Sequence, residues 1–124
     1  MADNARTALV MLGELASGSL DRTRFTPDAS WWAVSGQSYP LEDFLAILAM
    51  LHQRTIGGIV IETGLVIADG DHVVIEGTSD VPLTDGKHYA NRYLFLIHFR
   101  DGLIREVKEY NDSAHLHEAF GLGG

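Results

Sequence analysis

The chain has 124 residues, with 9 Lys+Arg against 17 Asp+Glu, a formal net charge of −8 and no cysteine. This length suits a single domain, residues 1–124, that buries its own core, and the negative charge disfavours binding to nucleic acid. The absence of cysteine excludes disulfides and thiolate zinc sites. The first residues have neither the pattern of a signal peptide nor an apolar run of membrane-spanning length, so we expect a cytoplasmic protein without a membrane partner.

Two helices and a strand are predicted in the first half of the chain. Apolar residues recur at helical spacing over residues 4–17, and Gly18 follows as a stop signal. A strand over Ala29–Val34 contains two adjacent tryptophans. The second helix, residues 40–54, contains the apolar run Phe44–Leu51. A helix that is apolar all round must be covered on both sides, so we expect a sheet on one side and an internal space on the other.

The second half of the chain is predicted to be a β-meander followed by a short helix. Asp-Gly pairs recur every 16 residues, and this dipeptide between apolar runs is a strong hairpin signal. A helix is expected over residues 113–120. The order of elements predicts an α+β fold, in which a strongly curved antiparallel sheet wraps around the helices and leaves a pocket at its open end. The four predicted strands are 58–68, 72–82, 87–99 and 103–112.

Three segments of the meander carry a family resemblance. Residues 86–93 read GKHYANRY, residues 101–104 read DGLI, and residues 109–112 read EYND. This pattern resembles the SnoaL-like branch of the NTF2-like superfamily, whose members typically read G-x-x-Y-x-N-x-Y, then D-G-K-I, then E-Y-x-D. The resemblance extends from the first helix to Asp112 and implies a cone-shaped domain with an internal pocket. The superfamily contains isomerases, cyclases, dehydratases, epoxide hydrolases and non-enzymatic binding proteins, so the resemblance does not fix an activity.

Two enzyme types within this superfamily can be compared residue by residue. The E-R-x-D run of limonene epoxide hydrolases corresponds to residues 76–79, which read EGTS, so the arginine and the acidic proton donor are missing. Their general base corresponds to Glu109. The catalytic aspartates of ketosteroid isomerases correspond to Ala33 and to Leu94 or Phe95. The resemblance therefore implies a fold, a pocket and one acid.

The pairing of the last two predicted strands determines which acid faces the pocket. Side chains alternate along a strand, and the face that contains Asn91 and Tyr93 is the more aromatic. A two-residue loop would place Tyr93 opposite Tyr110 and Asn91 opposite Asp112. A three-residue loop with a glycine bulge would place Tyr93 opposite Glu109 and Asn91 opposite Asn111. The family resemblance favours the second register, in which Glu109 faces inward.

These observations predict a small-molecule-binding protein. We expect an enzyme without a cofactor, such as a cyclase, isomerase or dehydratase, that acts on an apolar polyketide- or steroid-like carbonyl compound. Glu109 would transfer the proton, while Tyr93 and Asn91 would stabilise negative charge on oxygen. Asp112 and Glu76 are alternative acids. The alternative function is a non-catalytic ligand-binding or protein-interaction module of the same fold.

Further side chains are predicted to shape the pocket, and one of the two adjacent tryptophans must point into it while the other points away. The six histidines lack the spacing of a metal site, so we expect no metal. We also expect a homodimer that forms through the sheet. The predicted substrate-binding residues are Trp31, Phe44, Leu48, His52, Ser79, Phe95 and Asn111.

Overall fold

The computed structural model describes residues 2–121, which form three α-helices and one six-stranded sheet. Two short 3-10 turns, Leu15–Ser17 and Arg22–Arg24, connect the first helix to the first strand. The α+β class is confirmed. The helices are α1 (Ala2–Glu14), α2 (Leu41–His52) and α3 (Ser113–Phe120), and the strands are β1 (Phe25–Ala33), β2 (Ser38–Pro40), β3 (Glu62–Asp69), β4 (His72–Pro82), β5 (His88–Arg100) and β6 (Leu103–Tyr110).

The strand order is β2-β1-β6-β5-β4-β3, so the first long strand lies beside the last. β1 runs parallel to β6, whereas the other neighbouring pairs are antiparallel, which makes the sheet mixed. The short strand β2 was not predicted. β3 begins at Glu62, four residues later than expected. Gly58, the first residue of the predicted strand, has a φ of 78°, which an extended strand does not allow.

The hairpin between β5 and β6 has a two-residue turn followed by a bulge. Asp101 and Gly102 both have positive φ, and Phe99 pairs with Ile104. The next pair joins His98 to Glu106, so Arg105 is an extra residue in β6.

This bulge makes both predicted registers wrong. Glu109 lies opposite Phe95, and Tyr110 lies opposite Leu94, so neither of them faces Tyr93. The prediction placed any irregularity in the loop, whereas the extra residue lies inside the strand. The bulge shifts the inward-facing positions by one residue, and Glu109 consequently lies on the same face of the sheet as Phe95.

The core lies between the helices and the inner face of the sheet. α1 packs against β3 and β4, α2 against β1 and β2, and α3 against β5. Phe95, Ile97 and Phe99 of β5 are fully buried on this inner face. Burial of side chains of this size stabilises the fold by roughly 1.5–3 kcal/mol each.

The expectation that α2 is covered all round is wrong, although the helix does pack on the sheet and lie beside an internal space, as expected. Leu41, Leu48 and Leu51 are buried, but Met50 is 46% exposed on the opposite side of the helix. The apolar run of α2 contains more apolar side chains than this single chain buries. On the outer face of the sheet, Leu94 and Tyr110 are also exposed, and the homodimer through the sheet stays a prediction.

Candidate functional site

A cavity of about 190 Å³ lies between α2, α3 and the inner face of the sheet. Ile47, Leu48 and Leu51 of α2 form its aliphatic side. Trp31 and Phe44 form an aromatic wall, with parallel rings whose centroids are 3.9 Å apart and whose planes differ by 3°. This is a mostly apolar site with few polar groups, which is the usual composition of small-molecule pockets.

Glu109 supplies a carboxyl group to this cavity. Its Oε1 accepts a hydrogen bond from the indole N–H of Trp31 at 2.9 Å, and its Oε2 accepts one from the Asn111 amide at 2.6 Å. Burial raises the pKa of the Glu109 carboxyl, and the hydrogen bonds from Trp31 and Asn111 offset part of that rise. Protein atoms cover Glu109 only in part, because its side chain faces the cavity. The apolar walls around the carboxyl group disfavour its charged form.

A chain of hydroxyl groups lies along β5 beside the cavity. The Tyr93 hydroxyl donates to the Tyr89 oxygen at 2.9 Å and is itself 2.9 Å from the Ser79 hydroxyl. Burial raises the pKa of Tyr89 to about 12 and also raises the pKa of Tyr93, so both phenols are protonated at neutral pH.

Asn91 connects β5 to the start of α3. Its side-chain NH₂ donates to the Tyr89 oxygen at 2.8 Å and to the Asp112 carbonyl at 3.1 Å. Its side-chain oxygen accepts from the backbone N–H groups of Arg92 and Asp112. Both donors and both lone pairs of the amide are therefore used inside the protein.

The structure brings seven of the predicted site residues to the cavity. Tyr89 also lines it and was not predicted, although it lies on the same face of β5 as Tyr93, four residues away, and this spacing could have identified it. Of the two tryptophans, Trp31 lines the cavity. Trp32 lies on the outer face, tilted against Tyr110 and below the Lys108 ammonium. The seven residues are Trp31, Phe44, Leu48, Tyr93, Phe95, Glu109 and Asn111.

Five of the predicted residues lie elsewhere. Ser79 and Asn91 are buried behind Tyr93 and Tyr89 and do not line the cavity. His52 accepts a hydrogen bond from the Ile59 backbone N–H at 3.2 Å, so it fixes the loop after α2 and does not line the cavity. The remaining two are the alternative acids.

The alternative acids have other positions. Asp112 caps α3 by accepting the His115 N–H at 3.0 Å, and Glu76 is exposed on β4. Within residues 2–121, no three His, Asp or Glu side chains are close enough together to hold a metal ion. No helix in this part of the chain is long and apolar enough to cross a membrane.

The profile of the SnoaL-like domain matches residues 13–107. The chain belongs to the SnoaL-like domain family. No curated protein sequence matches the chain. The NTF2-like fold expected from the sequence is confirmed by the solved structures of similar SnoaL-like and NTF2-like proteins.

Three solved structures illustrate this likeness. A candidate SnoaL-like polyketide cyclase from Jannaschia sp. CCS1 is 20% identical over 99% of this chain and 94% of its own, with a TM-score of 0.80. IdmH, a candidate polyketide cyclase from Streptomyces antibioticus, is 17% identical over 96% of this chain and 99% of its own, with a TM-score of 0.79. An LEH-like epoxide hydrolase from M. tuberculosis is 16% identical over 98% of this chain and 92% of its own, with a TM-score of 0.76. Identities this low establish the fold that this SnoaL-like domain shares with them and no activity.

The SnoaL-like domain has no room for an arginine where the resemblance to epoxide hydrolases would place one. Gly77 occupies that position, and a Cβ atom added there would lie 2.8 Å from Cγ2 of Ile61 and 3.4 Å from Phe95. The inner face at this point is filled by neighbouring side chains. The cavity therefore contains Glu109 without the arginine that accompanies the acid in those enzymes.

Proposed function

We propose that this SnoaL-like protein is an acid/base enzyme that acts on a small apolar carbonyl compound, with Glu109 as the group that transfers the proton. The observation that carries the proposal is the position of the Glu109 carboxyl in an apolar cavity, held by Trp31 and Asn111. The raised pKa of Glu109 makes its carboxylate a stronger base than an exposed glutamate.

The proposed reaction begins with removal of a proton from the carbon next to the carbonyl group. The Glu109 carboxylate takes this proton, the C–H electron pair forms the carbon–carbon double bond of an enolate, and the carbonyl oxygen takes the negative charge. Return of the proton to another carbon of a conjugated system isomerises the substrate. Attack of the enolate on a second carbonyl closes a ring, and the alkoxide formed takes the proton back from Glu109. Alternatively, the enolate electrons form a carbon–carbon double bond as the β C–O bond breaks, and Glu109 returns the proton to the hydroxyl group, which leaves as water.

The size of the cavity narrows the substrate class. An apolar cavity of roughly 150 Å³ holds a benzene molecule, and pockets for drug-sized ligands span roughly 300–1,000 Å³. A cavity of about 190 Å³ therefore fits a compound of one or two rings. A polycyclic polyketide or a steroid would require movement of the walls, so we propose the smaller compounds as substrates.

Hydrogen exchange at the α-carbon of 1-indanone, a two-ring ketone, tests the proposal. Each reversible proton removal in deuterium oxide replaces an α-hydrogen by deuterium, which nuclear magnetic resonance detects. We expect the wild-type protein to accelerate this exchange and Glu109→Gln to abolish the acceleration. The matched control is Glu106→Gln, because Glu106 lies on the same strand but pairs with His98 on the outer face of the sheet.

The alternative function, a binding module without catalysis, makes a different prediction. Wild-type protein that binds 1-indanone without accelerating exchange would overturn the proposed chemistry and support ligand binding alone. Exchange that is equally fast in wild type and Glu109→Gln would remove Glu109 from the mechanism.

A further inference from the structure

Four polar side chains, including Tyr89, form a hydrogen-bonded cluster beside the cavity. The Ser79 and Tyr93 hydroxyls are 2.9 Å apart, the Tyr93 hydroxyl donates to the Tyr89 oxygen at 2.9 Å, and the Asn91 amide donates to the same oxygen at 2.8 Å. All four residues are buried, so bulk water does not compete for these hydrogen bonds.

The hydrogen bonds within this cluster leave one hydroxyl proton without an acceptor. The Tyr93 proton is used on Tyr89, and both Asn91 amide protons are used, on Tyr89 and on the Asp112 carbonyl. The Tyr89 oxygen accepts two hydrogen bonds, which occupy both of its lone pairs. Its own proton has no acceptor among residues 2–121, so Tyr89 is the end of the hydroxyl chain.

The Tyr89 ring is held in place from two sides. It stacks on His115 with ring centroids 5.5 Å apart, and it contacts Phe120 in a tilted arrangement at 5.1 Å. The His115 ring is fixed in turn, since its Nε2 accepts the backbone N–H of Ala90 at 3.2 Å. A ring fixed in this way presents its hydroxyl with little loss of side-chain entropy on binding.

We propose that Tyr89 donates the hydrogen bond to the carbonyl oxygen of a ligand in the cavity, and that Tyr93 and Asn91 position and polarise Tyr89. This inference rests on the proposed function, since it names the group that holds the carbonyl whose α-proton Glu109 removes. It replaces the sequence-based expectation that Tyr93 and Asn91 contact the substrate oxygen themselves.

The arrangement also suits the charge that develops during the reaction. Hydrogen bonds accepted by the Tyr89 oxygen stabilise negative charge on it, which makes its proton a better donor to an enolate oxygen. Burial holds the pKa of Tyr89 at about 12, so the proton is present over the whole neutral pH range. Tyr89 and Glu109 line the same cavity, which lets one ligand reach both.

The carbonyl stretching band of bound 1-indanone, labelled with carbon-13 at the carbonyl, tests the inference by difference infrared spectroscopy. A hydrogen bond to the oxygen moves this band to lower frequency than in hexane. We expect this shift in wild type and its loss in Tyr89→Phe, together with about fivefold weaker binding of 1-indanone. Tyr93→Phe is expected to keep a smaller shift, because it removes the polarising group and leaves the donor.

A second, more conservative replacement tests the inference even if Tyr89→Phe does not fold. Replacement of Tyr89 by 3-fluorotyrosine keeps the hydroxyl and makes it more acidic, so the shift should increase while the fold stays intact. An unshifted band in wild type, a shift that survives in Tyr89→Phe, or a shift unchanged by 3-fluorotyrosine would overturn the inference.

The two proposals can fail separately. Glu109→Gln should keep the infrared shift and lose α-hydrogen exchange. A shift that depends on Tyr89 in a protein without exchange activity would overturn the proposed function and retain the carbonyl site. Exchange that depends on Glu109, with a carbonyl band insensitive to Tyr89, would overturn the inference and retain the proposed function.

Discussion

The indole N–H of Trp31 donates to Oε1 of Glu109 at 2.9 Å, although 78 positions separate the two residues in the chain. The parallel pairing of β1 with β6 makes this contact, since it places Trp31 beside Val107 and Ala33 beside Glu109. The same indole ring stacks on Phe44. Trp31 therefore both shapes the apolar cavity and stabilises the ionised form of its acid.

Glu109→Gln is expected to gain about 1 kcal/mol of stability relative to wild type as the pH rises from acidic to alkaline. Burial raises the pKa of Glu109 above its ordinary value of 4.5, so the folded state binds this proton more tightly than the unfolded chain. The stability that Glu109 contributes is therefore complete below its unfolded pKa and is lost as the pH rises through its folded pKa. A glutamine at position 109 does not ionise, so its contribution to stability does not fall as the pH rises.

Urea unfolding near pH 4 and near pH 8 measures this effect. The advantage of Glu109→Gln over wild type should be larger near pH 8, and the outward-facing Glu106→Gln serves as the control. An advantage of equal size at both pH values would attribute the change to packing instead of charge.

Trp31→Phe is expected to move the pH profile of α-hydrogen exchange. Loss of the indole N–H removes one of the two donors that stabilise the ionised carboxyl, so the pKa of Glu109 rises further. The rate depends on the carboxylate and falls as the pH drops through this pKa, so its midpoint should move up by about one pH unit. Trp32→Phe, on the outer face, is the matched control. A midpoint common to all three proteins would show that the indole does not affect the acid.

Phe44→Ala is expected to change the size of ligand that the cavity accepts. It removes one member of the stacked aromatic wall and destabilises the fold by about 2–3 kcal/mol. Binding of anthrone, a three-ring ketone, should improve about tenfold relative to binding of 1-indanone, measured by calorimetric titration. Leu45→Ala, also on α2 and half-buried but outside the cavity lining, should leave this ratio unchanged. An unchanged ratio in Phe44→Ala would mean that Phe44 does not limit ligand size.

Substitution of two neighbouring glycines by alanine distinguishes two causes of destabilisation, a steric clash and an unfavourable backbone conformation. Gly57 and Gly58 both have positive φ, but a Cβ atom at Gly58 would clash with the Ala16 carbonyl oxygen, whereas no atom of residues 2–121 lies within 4 Å of one at Gly57. We expect Gly57→Ala to cost about 1 kcal/mol and Gly58→Ala about 3 kcal/mol in urea unfolding. Equal costs would show that backbone conformation alone requires glycine in the loop that leads to the cavity residue Ile59.

Local signals in the sequence were sufficient for most of the secondary structure. The Asp-Gly pairs mark the ends of three hairpins, and the helix predicted over residues 113–120 has the same bounds in the structure. These features depend on a few neighbouring residues, namely a turn that needs positive φ or an Asp112 side chain that caps a helix. The order of these elements predicted the α+β fold, and the family resemblance identified Glu109 as the matching acid.

Long-range contacts decided the rest of the site. A single extra residue, Arg105, inside β6 sets which acid faces the cavity, and alternation of polar and apolar residues does not reveal where a bulge lies. Asn91 loses its predicted contact with substrate because the start of α3 uses its amide, while Tyr89 gains a free proton because Tyr93 and Asn91 both donate to it. Local patterns in the sequence therefore account for most of the elements and for the fold class, and the family resemblance singles out Glu109. The groups around Glu109 depend on tertiary structure, because strand pairing brings Trp31 to its carboxyl group and the start of α3 takes up the Asn91 amide.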